Sequence, residues 1–284
     1  MKKYIEYKNE VDGFKDVSLT VKTVEKISAS YIHFLKVMTN NLYNYNQTIE
    51  KVLGRLLQFH KLADNIFLKQ KKSNRKLLVF LSGDKGLVGG LYHNLANILS
   101  DHNEKYDYLI VIGKKGERYI KEEGFKILKS FYFTDYLPTP KEIQEICDYI
   151  LGQFKNKNFS KIDILYPAFI SLSVHQPKFI RFLPFPFVDN SQVESRPAIG
   201  LPIFASSPKK IFDDLFTKYI KTFFARVVLE SKLSEFSART VAMEHAAVKT
   251  QEILEKIKLD YFKERKRIIT QKQLESFSVH RLRK

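Results

Sequence analysis

Several absences narrow the class of protein before any motif is considered. The 284-residue chain has one cysteine, Cys147, which excludes an internal disulfide and a zinc site with several cysteine ligands. No window approaches the roughly 18–20 uninterrupted apolar residues that a membrane-spanning helix needs. The basic start, Met1-Lys2-Lys3, is followed by a mostly polar stretch to Asp16, so no signal peptide is expected. These features predict a protein of a reducing cytosol, soluble or peripheral to a membrane.

Glycine and proline are scarce, and neither occurs after Pro208. The uninterrupted stretch predicts a helix of roughly 75 residues, on the order of 110 Å long at about 1.5 Å rise per residue. Along it, mostly apolar residues recur at alternating steps of four and three, the heptad spacing of a coiled coil. We call these residues the C-terminal stripe: Leu229, Leu233, Phe236, Thr240, Met243, Ala247, Thr250, Leu254, Ile257 and Tyr261.

A second heptad pattern runs through the first part of the chain, after a polar lead-in over residues 1–16. We call it the N-terminal stripe: Val17, Val21, Val24, Ser28, Tyr31, Leu35, Met38, Leu42, Tyr45, Ile49, Val52, Leu56, Phe59, Ala63 and Ile66. Two long helices separated by a whole domain can pair as an antiparallel coiled coil. The alternative is that each stripe packs onto its own globular domain.

The region between the helices alternates strand and helix patterns. Strands are expected at 76–81, 108–112, 125–131, 161–166 and 179–183, and helices at 91–99, 115–123 and 139–154. This alternation predicts a small, mostly parallel, Rossmann-like α/β domain. Five prolines in 184–208 predict an extended connector. The expected division is an N-terminal helix over 1–72, an α/β domain over 73–207, and a C-terminal helix over 208–284.

No pattern of catalytic or ligand-binding residues is evident. The glycine-rich stretch Gly83–Gly90 follows a strand and precedes a helix, as a phosphate-binding loop does, but it has neither a Gly-Lys-Ser/Thr ending nor a Gly-x-Gly-x-x-Gly pattern. Asp84 would repel a phosphate. The seven histidines show no metal-ligand spacing on one helix face. We therefore predict a structural turn and no catalytic, cofactor or metal site. A standalone α/β enzyme using this turn stays as an alternative.

Positive charge is the strongest compositional signal. The net charge is +17, and residues 255–284 hold ten lysines and arginines against four acidic residues. Such a balance favours an acidic partner: nucleic acid, anionic lipid or an acidic protein cavity. A coiled-coil protein that binds nucleic acid is therefore a second alternative, and it predicts strongly salt-dependent affinity.

Five segments resemble a known family in sequence order. Residues 230–243, ESKLSEFSARTVAM, are similar to the ESxxSExxARMxAM signature of the γ subunits of F-type ATP synthases. Residues 261–271, YFKERKRIITQ, resemble the family's YNxxRQAxITQ segment, and 82–90, SGDKGLVGG, its SDRGLCGG turn. Lys26-Ile27-Ser28 is similar to the family's KIT, and Ser206-Ser207-Pro208 stands at its EPSP motif.

The resemblance implies the architecture that the spacing predicts, together with a function. The paired helices would form a rotating shaft inside a ring of three α and three β subunits, coupling rotation to ATP synthesis or hydrolysis. The α/β domain would bind the ε subunit and the membrane rotor ring. The chain would be a non-catalytic subunit without cofactor or nucleic acid, present in one copy, on the cytoplasmic side of a bacterial membrane. The implied shaft–ring contacts are Lys26, Ile27, Arg265, Lys266, Thr270, Lys272 and Glu275.

The chain departs from the family at several of these positions. Lys266 replaces the usual glutamine, Lys272 stands where glutamate is usual, and residues 276–284 end in basic side chains instead of a small apolar tail. Arg265, Thr270 and Glu275 keep the family type. A specialised γ-like rotor, such as those of divergent mollicute ATPases that drive another membrane or gliding machine, is thus the first alternative function.

Overall fold

The computed structural model describes residues 4–59, 65–69, 72–102, 104–156, 159–186 and 207–282. These residues form two compact units, one from residues up to 29 with those from 239 onward, and one from residues 30–238. Two long helices, α1 (Tyr4–Phe59) and α5 (Pro208–Leu282), contribute to both units. In the described ranges, no helix is long and apolar enough to cross a membrane.

The second unit contains a five-stranded sheet with the spatial order β3-β2-β1-β4-β5. Its strands are β1 (Lys76–Leu81), β2 (Tyr108–Ile112), β3 (Ile127–Phe131), β4 (Lys161–Phe169) and β5 (His175–Leu183). β1 pairs in parallel with β2 and β4, and β2 with β3, whereas β5 runs antiparallel to β4. The predicted mostly parallel α/β domain is confirmed.

Helices cover both faces of this sheet, because its buried strands carry apolar residues on each side. Two short helices, α2 (Leu91–Ser100) and α3 (Lys114–Glu122), pack on one face. The other face contacts α4 (Pro140–Lys155) and the second-unit portions of α1 and α5. A capping box begins α4, because Thr139 and Glu142 each bond to the other's backbone N–H.

The long helices pair antiparallel. In the second unit, the rings of Tyr31 in α1 and Phe236 in α5 lie 4.8 Å apart, and Thr222 of α5 donates a hydrogen bond to Asn46 of α1 over 2.5 Å. Residue numbers thus rise along one helix as they fall along the other. In the first unit, Tyr4 stacks on Tyr261 at 4.9 Å, with their hydroxyl oxygens 2.7 Å apart. The predicted pairing of the N- and C-terminal helices is confirmed.

On α1, one of the two buried series of residues is shifted by one position from the predicted N-terminal stripe. The least exposed positions of α1 follow two heptad series, 4–11–18–25–32–39–46–53 and 7–14–21–28–35–42–49–56. The second series contains the predicted Leu35, which is fully buried, but Met38 is exposed and Thr39 lies in the stripe instead. Val17, Tyr45 and Val52 are exposed in the same way.

Polar residues within the stripe, half-buried Thr39 and buried Asn46, explain this displacement. The pattern of apolar residues passes over Thr39 and Asn46, although both occupy the true stripe. Thr39 donates to the Leu35 carbonyl over 2.8 Å, and Asn46 accepts from Thr222. These partners replace water for the Thr39 hydroxyl and the Asn46 Oδ1 atom, whereas Asn46 Nδ2 is buried without a hydrogen-bond partner among the described residues. The predicted Val24 and Tyr31 are half-buried beside the stripe.

The C-terminal stripe lies close to its predicted positions. Leu233, Phe236, Met243 and Leu254 are buried, at 1–5% exposure, while Ile257 and Tyr261 are half-buried. Leu259, two residues from Ile257, is 61% exposed and marks the opposite face of the helix. The four-and-three spacing therefore identifies the buried side of α5.

Several element boundaries differ from the sequence-based expectation. The polar lead-in belongs to α1, which begins at Tyr4 and continues through Gly13. Ile66 lies in a turn after α1, and Ala63 is outside the described residues. β5 begins at His175 rather than at residue 179, because it forms a hairpin with β4. Most of the predicted connector, from residue 187 to 206, also lies outside the described residues.

The stripe on α5 can be tested with a matched pair of substitutions. Leu254→Asp should lower the free energy of unfolding by about 3 kcal/mol or more, because it removes buried apolar surface and places an unpaired carboxylate in the stripe. Leu259→Asp introduces the same charge on the exposed face and should stay within about 0.5 kcal/mol of the original chain. Urea unfolding followed by circular dichroism measures both. Equal losses would contradict the assignment of the stripe.

Candidate functional site

The turn after β1 is held by hydrogen bonds to its neighbours in the sheet. The Ser82 hydroxyl donates to the Ile112 carbonyl over 2.8 Å and accepts from the Gly116 backbone N–H over 3.0 Å. The Asp84 carboxylate accepts from the backbone N–H of Lys114 and of Phe133, at 3.1 and 3.2 Å. Asp84 thus occupies the N-terminus of α3, a position where a helix could otherwise bind an anion.

Tyr92 of α2 and Glu235 of α5 both approach Gly83 closely. A Cβ atom at this position would lie 2.1 Å from the Tyr92 hydroxyl oxygen and 2.6 Å from Oε2 of Glu235. Both distances are well below van der Waals contact, so any side chain would displace Tyr92 or Glu235. The glycine therefore serves the packing of α5 against the turn, which supports the structural interpretation of the motif.

The segment of α5 that meets the turn is buried on nearly all sides. Residues 227–237 are buried apart from Glu230, including Ser231, Ser234 and Ser237 at 6%, 0% and 0% exposure. Small side chains three residues apart follow one face of the helix and let neighbouring backbones come close. Large residues there would push α5 away from its neighbours.

A buried ion pair lies within this segment. Lys232 Nζ and Glu235 Oε2 are 2.8 Å apart, with the two side chains only 6% and 5% exposed. The Lys232 ammonium also lies 5.2 Å from the centre of the Phe133 ring, within cation–π distance. Removing either charge would leave the other buried without its partner, which is costly in a low-dielectric interior.

The end of β4 contacts the same segment. The Tyr166 hydroxyl donates to Oε2 of Glu230 over 3.4 Å, and burial raises the pKa of the Glu230 carboxyl above its usual value. β1 and β4 are the strands between which the chain order of the sheet reverses. In open α/β sheets, ligands bind outside the carboxyl ends of strands at such a point. Here Glu230 and Glu235 of α5 lie there instead.

The predicted shaft–ring residues are all exposed and belong to the first unit. Arg265 and Lys272, seven residues apart, share one face of α5, while Lys266 and Thr270, four apart, share another. Glu275 accepts a hydrogen bond from Gln271 over 3.0 Å. On α1, Lys26 is exposed and Ile27 is 45% exposed. The structure presents all seven of these side chains to solvent.

The contacts at the turn could not be read from sequence spacing. Gly83 and Glu235 are 152 positions apart, and the two local patterns that contain them, a glycine-rich turn and a heptad stripe, give no link between them. The one available signal is the ESKLSEFSART segment, where serines alternate with charged residues inside a heptad stripe. Among the described residues, no three histidine, cysteine, aspartate or glutamate side chains form a metal-binding group.

These features define a class of protein: a long antiparallel coiled coil carrying an inserted α/β domain whose ligand crevice is filled by the coil itself. The sequence model of the ATP synthase family matches residues 3–275, so the chain belongs to this family. The resemblance to γ subunits that the motifs indicated is confirmed by the relatives and solved structures that it matches.

Two bacterial relatives illustrate the sequence similarity. The ATP synthase gamma chain of Clostridium novyi is 26% identical, with 94% of this chain and 93% of the relative covered. That of Clostridium kluyveri is 30% identical over 211 residues, with 73% of each chain covered.

Two solved structures share the fold. The rotor of the Euglena gracilis mitochondrial ATP synthase is 17% identical, with a TM-score of 0.64 over 94% of this chain and 98% of that one. The central stalk and c-ring structure of the Tetrahymena thermophila mitochondrial ATP synthase includes a chain that is 17% identical, with a TM-score of 0.59 over 80% of this chain and 99% of that one.

The close contact at Gly83 generates a direct prediction. Gly83→Ala should lower the free energy of unfolding by about 1–3 kcal/mol, because the new methyl group must displace Tyr92 or Glu235. Gly152→Ala is the matched control, since a Cβ there meets no atom within 4 Å. It should be neutral or stabilising by up to about 1 kcal/mol, as alanine favours a helix. Chemical unfolding of both full-length variants measures the free energy of unfolding. A Gly83→Ala chain as stable as the Gly152→Ala control would contradict the packing described.

Proposed function

We propose that the chain is the central-stalk γ subunit of an F-type ATPase. Its helical pair serves as the rotor shaft within a ring of α and β subunits, and its rotation is coupled to ATP synthesis or hydrolysis in that ring. The chain contributes no reacting side chain to the ATP chemistry in this proposal. Its role is to impose different conformations on catalytic sites that belong to other subunits.

The observation that carries this proposal is the exposure of the last turns of α5. Residues 269–278 are exposed at every position, so all faces of the helix meet solvent there. Ile269, Leu274 and Phe277 are 47%, 64% and 74% exposed, which is unusual for large apolar side chains grouped in one segment. A flat partner would cover one face of this helix, whereas an enclosing ring would cover all of them.

The two groups of predicted contact residues fit an enclosing partner as well. Arg265 with Lys272 and Lys266 with Thr270 point to different sides of α5, and we propose that each pair meets a different subunit of the ring. Glu275, and Lys26 and Ile27 on α1, add further contacts in the first unit. Because these surfaces differ, three identical catalytic subunits would meet three different environments, and the binding equilibria in the ring would depend on the angle of the shaft.

The α/β domain is proposed to bind the ε subunit and the membrane rotor ring, or a replacement for that ring. One copy of the chain would serve each complex, peripheral to the cytoplasmic side of a bacterial membrane. The Euglena gracilis and Tetrahymena thermophila neighbours come from structures described as rotor and as central stalk with c-ring, which supports attachment to such a ring. No observation favours the gliding machine, the standalone enzyme or the nucleic-acid binder.

A charge-reversal pair tests the proposed shaft contacts. The chain is co-expressed with the α and β chains of its own organism. Two quantities are measured: the affinity of the chain for the ring of α and β subunits, and the ATPase rate of the isolated complex. Arg265→Glu with Lys272→Glu should weaken binding to the ring about tenfold or more, because two negative charges would then face acidic partner surfaces where two positive charges had attracted them.

The control is Lys105→Glu with Lys126→Glu, which makes the same change in net charge on exposed positions of the α/β domain. Binding to the ring should then stay within about twofold of the original chain, a difference of about 0.4 kcal/mol. If both pairs weaken binding equally, the effect is one of net charge and the proposed contact residues are wrong.

A further inference from the structure

Three aromatic rings connect the α/β domain to both long helices within the second unit. Tyr136, in the loop between β3 and α4, stacks on Tyr31 of α1 with ring centres 6.1 Å apart and an interplanar angle of 16°. Tyr31 in turn packs against Phe236 of α5 at 4.8 Å. We call these three residues the aromatic column. It joins three separate segments of the chain through contacts between rings.

A lysine covers the outer end of this column. Lys85 Nζ lies 3.0 Å from the centre of the Tyr136 ring, which is 46% exposed. Lys85 belongs to the turn after β1, so a fourth segment is joined to the same ring. A cation over an aromatic face is attracted by the ring quadrupole and holds the ring in one orientation. Tyr136 therefore has partners on the domain side and on the coil side.

The loop that carries Tyr136 also reaches the buried ion pair on α5. Phe133, three residues earlier, lies 5.2 Å from the Lys232 ammonium, which pairs with Glu235. The loop thus contacts the helical pair at two levels, one buried and one near the surface. The buried level involves α5 alone, whereas the aromatic column reaches α1 as well.

We infer that Tyr136 is a positioning residue that fixes the α/β domain to the helical pair and allows torque to pass between them. This inference rests on the proposed rotor function. The buried face of the sheet already packs on both long helices. The aromatic column adds a contact with α1 outside that face, and the domain cannot rotate about α5 without separating Tyr136 from Tyr31. The column therefore adds a second point of attachment to α1.

Tyr132 in the same loop provides a matched control. It is 44% exposed, close to the 46% of Tyr136, and it also has a lysine near its ring, Lys114 at 5.6 Å. Its hydroxyl donates to Glu117, so both of these partners belong to α3. Removing the Tyr132 ring therefore perturbs the loop and its contacts inside the domain, without removing the stack on Tyr31.

The test uses the full chain assembled with the α and β chains of its organism, with a bead attached to the α/β domain. Torque under viscous load and ATPase rate are measured for Tyr136→Ala, Tyr136→Phe and Tyr132→Ala. Tyr136→Ala should keep the ATPase rate within twofold and lower the torque on the bead at least twofold. Tyr136→Phe keeps the ring and should restore the torque, and Tyr132→Ala should match the original chain.

A second measurement needs no partner chains. Hydrogen exchange of the full chain should increase in Tyr136→Ala both in the loop 132–138 and in α1 around Tyr31, but in Tyr132→Ala only in the loop and α3. An unchanged torque in Tyr136→Ala, or an equal loss in Tyr132→Ala, would overturn the inference while leaving the rotor function standing. An original chain that neither assembles with the ring nor turns would instead contradict the proposed function itself.

Discussion

The structure depends on the close packing of one segment of α5, residues 227–237, against the carboxyl ends of β1 and β4. The absence of a side chain at Gly83 admits Glu235, and small serines let the helix approach its neighbours. The Lys232–Glu235 pair supplies charges that neutralise each other away from water. These features depend on one another. A side chain at Gly83, or an unpaired charge on α5, would separate the helix from the sheet.

This packing explains how a doubly wound sheet can serve a mechanical role. The same topology binds nucleotides in many proteins, at the point where the order of strands reverses. In this chain the position is occupied by side chains of its own long helix, and Asp84 binds the N-terminus of α3. A fold thus sets a possible site, but the residues at that site decide its use. Here they attach a domain to a coil.

Much of the architecture follows from sequence periodicity, and the errors have physical causes. The strands, the glycine-rich turn and the stripe on α5 follow from period-two and heptad patterns. On α1, half-buried Thr39 and buried Asn46 lie in the stripe with hydrogen-bond partners, so a count of apolar residues alone assigns Met38 to the stripe wrongly. The antiparallel direction of β5 depends on its hairpin with β4. The aromatic column depends on contacts between Tyr31, Tyr136 and Phe236, which no local pattern contains.

Affinity purification of the chain from native membranes, with mass spectrometry of the chains that co-purify, tests most directly whether it serves as a rotor within a ring of ATPase subunits. A rotor of this kind should bring down α and β subunits in excess over itself, together with ε and a membrane ring. Recovery of α- and β-like chains with other membrane or cytoskeletal proteins would show that the rotor is attached to a different machine instead of the membrane rotor ring. Recovery of the chain without any ATPase subunit would contradict the rotor function.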